Sequence, residues 1–144
     1  MLFKESLIIN VDRSGSKLNK VFHVYSRMWR RYAIIGEYVK VSVKTLERWP
    51  TRIRGKRYRP TRPGFILRGL NCMNVTNRNY NGFLKIRAAT NHMITLKKRG
   101  VIKSPYILGP MFRPIRVKKF FYIFNKVVII CYFIGLTLKD IQDY

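Results

Sequence analysis

Apolar and polar residues alternate most cleanly over residues 39–44. Val39, Val41 and Val43 fall on one face of an extended segment, and Lys40, Ser42 and Lys44 on the other. This predicts a half-buried strand with a cationic outer side. Gly36, which follows two isoleucines, predicts a turn that holds Arg30, Arg31 and Tyr32 at the mouth of that strand and outside its pairing region. Upstream, residues 6–11 and 21–25 are rich in β-branched and apolar side chains and predict two further strands. Asp12, Ser14 and Gly15 supply the turn between them, so the two strands are expected to pair and open a meander.

Further along, residues 65–67 predict a short strand ending in Arg68, and the Asn-rich stretch 71–82 predicts a loop. Residues 84–87 and 93–96 predict the last apolar strands, and Lys97, Lys98, Arg99 and Gly100 a cationic turn. Short strands separated by turns predict an all-β fold, a small barrel or sandwich. Residues 45–63 differ in character. Pro50, Pro60 and Pro63 punctuate Arg48, Arg52, Arg54, Lys56, Arg57, Arg59 and Arg62, a basic arm with little to bury. Its backbone is expected to be extended and to order when phosphates lie between the guanidinium groups. Arg113, Arg116, Lys118 and Lys119 share a tail segment with Ile115 and Phe120, a spacing that fits an amphipathic surface helix or a polyanion contact.

Charge sharpens this picture. The 144 residues carry 30 Lys and Arg against 6 Asp and Glu, a net charge of +24, and no acid occurs between Glu47 and Asp140. Internal ion pairs cannot neutralise that stretch, so a polyanion is the expected partner. The length suits one domain, and 47% hydrophobic residues are enough for a modest core. Lys17, Arg30, Arg31, Lys40, Lys44 and Arg68 join the arm and the turns as candidate RNA contacts, aimed at phosphates more than at base edges. Trp29 and Tyr32 suit either stacking on an unpaired base or covering one end of the fold.

The chemistry for catalysis is absent from the pattern. His23 and His92 have no carboxylate or serine at catalytic spacing, six acids leave little for paired acid and base work, and no phosphate-cradling glycine motif occurs. No enzyme activity and no cofactor is expected. Cys72 and Cys131 lack a second cysteine or histidine at ligand spacing, which argues against zinc; buried reduced thiols and a reducing compartment are expected. The start of the chain shows neither an Arg-rich and Ser-rich amphipathic leader nor a cleavable apolar core.

The order D-R-S-G-S-K at residues 12–17, R-R-Y-A with Gly36 and Glu37, and the strand to Lys44 resembles the universal large-subunit ribosomal proteins of the L-fourteen family. F-I-L-R at residues 65–68, Asn91, I-L-G-P at residues 107–110 and the K-K-F ending at Phe120 follow at family spacing. The resemblance implies a five-stranded β-barrel with protruding basic loops and a short C-terminal helical segment. It also implies large-subunit rRNA as ligand, neighbouring large-subunit proteins on one flank, and small-subunit rRNA across an intersubunit bridge. Glu37, in family register, is expected to order its turn. Ser104, Pro105 and Tyr106 stand where the family carries Gly-Thr-Arg, so the ribosome-silencing factor that docks there in relatives is not carried over.

Residues 1–126 are thus expected to form one barrel domain including the arm, and residues 127–144 an apolar extension. Its run after Lys126 is short for a membrane span, so an integral membrane protein is not expected. Packing on the barrel, a strap onto a neighbouring ribosomal protein and membrane contact are the three accounts, and the strap is favoured. The Phe, Tyr, Ile, Asn and Lys usage fits AT-rich codons and an organellar origin, from which a mitochondrial ribosome and an organelle-encoded gene are expected. The expected function is a structural, rRNA-binding constituent of the large subunit. A membrane-associated basic interaction protein and a free RNA chaperone are the alternatives.

Overall fold

Five strands close into a barrel in the order β2-β3-β5-β6-β7. They are β2 (Leu7–Asn10), β3 (Ser16–Tyr25), β5 (Tyr38–Leu46), β6 (Ile66–Met73) and β7 (His92–Leu96). Neighbours are antiparallel except at the seam, where β2 and β7 run parallel. Two short strands, β1 (Leu2–Phe3) and β4 (Tyr32–Ala33), pair outside the barrel. The computed structural model describes residues 1–25, 31–48, 61–75, 88–97, 100–112, 115, 120, 128–129 and 133–134.

The alternation expected of β5 is realised. Val39, Val41 and Val43 are buried, Lys40 and Ser42 are half-buried and Lys44 is exposed. Val39 and Val41 meet Leu2, Ile8, Val21, Val24, Ala33 and Met93 in one apolar cluster. Each such fully buried aliphatic side chain stabilises the fold by about 1.5–3 kcal/mol. Gly69 of β6 is packed so closely here that an added Cβ would lie 2.7 Å from Met93 Sδ. The predicted pairing of the first two strands also holds, β2 joining β3 through Leu7↔Lys20, Ile8↔Asn19 and Ile9↔Leu18.

A second cluster lies where Leu70, Cys72, Ile94 and Leu96 meet Ile107, Met111, Ile115 and Phe120. Strand β7 is consequently buried throughout, and β6 from Gly69 onward. This corrects the loop expected from residue 71, because Asn71, Cys72 and Met73 belong to β6. Asn71 is not solvated; its Nδ2 donates to Ile34 O (2.9 Å), and its N–H donates to Glu37 O (3.0 Å). The strand expected over residues 84–87 lies outside the described residues.

Gly36 does form a turn. Its φ is 84°, Glu37 N donates to Ile34 O (3.3 Å), and Glu37 Oε2 accepts from Ile34 N (2.9 Å), the ordering role expected of that carboxylate. Tyr32 lies opposite Phe3 in the β1–β4 ribbon, outside the pairing of β5. The described residues contain no α-helix, and most of the short C-terminal helical segment expected from the resemblance lies outside them. Of the apolar extension, β10 (Val128–Ile129) runs parallel to β8 (Tyr106–Ile107), and β11 (Phe133–Ile134) parallel to β9 (Met111–Phe112). Those four residues therefore pair within their own chain, where a strap onto a neighbour was favoured. No helix among the described residues is long and apolar enough to cross a membrane.

Candidate nucleic-acid interface

One end of the barrel collects the cations. The β2–β3 turn is held there from beneath by Asp12, buried to 3% exposure. Asp12 Oδ2 accepts from Thr95 N (2.6 Å) and from Thr95 Oγ1, while Oδ1 accepts from Asn10 Nδ2 (2.6 Å) and Ser14 N (3.0 Å). Burial pushes its carboxyl above the usual range, against the opposing pull of the hydrogen bonds from Ser14, Thr95 and Asn10. The turn is thereby tied to β7, with Arg13 exposed on it and Lys17 exposed at the start of β3.

The basic arm departs and returns beside this turn. Glu47 N donates to Gly15 O (3.1 Å), and Thr61 Oγ1 donates to Ser14 O (2.8 Å). Thr61 also accepts from Lys103 Nζ (2.9 Å). Burial lowers the Lys103 pKa, partly offset by attraction to Asp12 and reinforced by repulsion from Lys97. Burial likewise raises the Glu47 carboxyl, an effect opposed by nearby Arg13 and Lys17. Arg48 and Arg62, the arm's two described arginines, are exposed at its roots. Lys97 is exposed in a turn closed by Lys97 N to Val101 O (2.7 Å).

Of the residues singled out in the sequence, the fold brings Lys17, Arg48, Arg62 and Lys97 to this rim, with Lys44 near it on β5. Arg31 is exposed at the opposite end, before β4. Lys40 and Arg68 face each other across β5 and β6 on the outer wall. Arg30, Trp29, Arg52, Arg54, Lys56, Arg57, Arg59, Lys98, Arg99, Arg113, Arg116, Lys118 and Lys119 lie outside the described residues. Arg13 and Lys103 join the rim without having been singled out. Arg13 stood inside the turn motif, so a charge count of that motif would have found it; Lys103 had no local signal, since only folding brings it to Thr61.

His23 is exposed on β3, and His92 is structural, its ring linked to Thr90 Oγ1 (2.7 Å) and Pro110 O (3.1 Å). Cys72 is buried, its Sγ donating to Leu70 O (3.2 Å), while Cys131 lies outside the described residues. Tyr32 is half-buried with its ring 5.8 Å from that of Phe3.

A closed barrel whose buried Asp12 braces a rim of exposed cations defines a basic scaffold protein, built to present charge. Residues 1–130 match the family model of ribosomal protein L14p/L23e, and the chain belongs to that family. It is similar to the large ribosomal subunit protein uL14m of Tetrahymena pyriformis, 26% identical over 120 residues that span 83% of this chain and 93% of that relative. The family anticipated from the ordered motifs is the family matched.

Proposed function

We propose that this chain is a structural constituent of a mitochondrial large ribosomal subunit that fastens rRNA by its cationic rim and arm. The observation that carries the reading is the rim itself. Arg13, Lys17, Arg48, Arg62 and Lys97 are exposed together, whereas the nearby Asp12 is buried and Glu47 half-buried, so the surface potential there is positive. Family membership supplies the ribosome, and the name of the Tetrahymena relative supports the large subunit and the mitochondrion. Phosphate contacts from the rim, Lys40, Arg68 and the arm would position the protein on folded RNA, leaving the opposite end, with Arg31, for a second RNA or protein neighbour across the subunit interface.

Sedimentation of detergent-solubilised organelles at low and then high salt tests the proposal, with probes for both subunits. Comigration with the large subunit that weakens as salt rises is the expected result. Recovery only in light or lipid-associated fractions would overturn it.

A further inference from the structure

The outer wall of the barrel carries an arrangement distinct from the rim. Tyr25, Tyr38 and Arg68 converge where β3, β5 and β6 run side by side, with Tyr25 opposite Tyr38 and Lys40 opposite both His23 and Arg68. The Arg68 guanidinium lies 4.5 Å from the Tyr38 ring centroid and 5.3 Å from that of Tyr25, and Lys40 Nζ lies 5.6 Å from the Tyr25 centroid. The His23 ring meets Tyr25 edge-on, 4.9 Å between centroids. The Tyr25 and Tyr38 rings flank the Arg68 guanidinium, and its Nε is buried with no hydrogen-bond partner among the described residues. Tyr25 nonetheless remains 39% exposed.

Among the described residues no carboxylate joins this wall. Glu37 accepts from Ile34 N, Glu5 pairs with Lys20, Asp12 is buried beneath the β2–β3 turn, and Glu47 lies at the rim. Two cations and an aromatic ring held in fixed register, with no acid among the described residues to satisfy them, complement a ligand that combines a flat π-face with an anion. An acidic peptide would use the cations and waste the ring; an unstacked nucleotide uses both.

We propose that this wall takes one splayed-out nucleotide of single-stranded RNA, its base stacked on the Tyr25–Arg68 surface and its phosphate held by Lys40. The proposal rests on the RNA-binding reading given above and adds a stacking subsite to it. Binding there is selective for unpaired RNA, because a base inside a helix cannot reach the ring.

The full-length chain is titrated with a short oligouridylate and with an RNA duplex of equal length, over a range of salt. Tyr25→Leu is expected to weaken oligouridylate binding about tenfold, with duplex binding and the salt slope unchanged, while Tyr25→Phe binds as the parent does. The Lys17→Ala, Arg62→Ala double variant weakens both RNAs together. Equal losses on both RNAs from Tyr25→Leu, or no loss on either, would overturn the stacking subsite and leave the rim reading standing. Failure of the parent chain to bind either RNA would sink both readings. Photocrosslinking from position 25 in intact particles decides independently of any folding defect: an RNA adduct supports the subsite, and an adduct to protein alone refutes it.

Discussion

Two buried polar side chains carry more of the architecture than their number suggests. Asp12 accepts four hydrogen bonds, two from Asn10 and Ser14 beside the β2–β3 turn and two from Thr95 of β7, so Asp12→Ala strands at least the buried Thr95 N–H. Leaving that group unsatisfied costs about 1–3 kcal/mol, and urea unfolding should show at least that loss. His92 titrates in a readable direction. Burial lowers its pKa below 6.5, only partly opposed by the bond to Pro110 O, so the unfolded chain takes up the proton first. Stability from neutral His92 is therefore present above pH 6.5 and falls as pH drops through the window below that value. His92→Gln should flatten that part of the pH–stability curve, measured against the parent chain under identical salt.

Among elements, the arm and its roots matter most. Thr61 is the joint at which the returning arm meets both the β2–β3 turn and Lys103. Thr61→Val keeps the shape but removes the hydroxyl, and the Ser14 carbonyl and the Lys103 ammonium each lose a partner. Each net hydrogen bond lost costs about 1 kcal/mol. The expected readout is faster tryptic cleavage within residues 48–60 at unchanged barrel stability beyond that small loss. Equal cleavage rates would mean that the arm is anchored by other contacts. Strand β6 shows how an element can be hidden. Its apolar and polar residues do not alternate, because the segment bearing Ile107, Met111, Ile115 and Phe120 buries its second face.

At the scale of the whole molecule, charge dominates behaviour. A net +24 spread over a small barrel leaves the free protein self-repelling, and a polyanion relieves that repulsion. Binding to RNA should weaken linearly in a plot of log affinity against log salt, and removing Lys17 and Arg62 should each reduce the slope by about 1. An unchanged slope in the double variant would show that neither side chain meets a phosphate. The rim is assembled from chain segments far apart in sequence, so its field exists only in the folded state.

The sequence by itself determined the sign and excess of charge, the inward face of β5, the β2–β3 pairing, the Gly36 turn and the family. Each is legible because it depends on residues a few positions apart: period-two alternation, a turn residue between apolar runs, or an ordered set of short motifs. Tertiary structure alone decided the parallel seam between β2 and β7, the doubly covered faces of β6 and β7, the joint at Thr61 and Lys103, and the Tyr25–Tyr38–Arg68 wall. These depend on cross-strand register and on segments that meet only after the barrel closes. Local pattern reports which way a side chain points; only closure sets what stands opposite it.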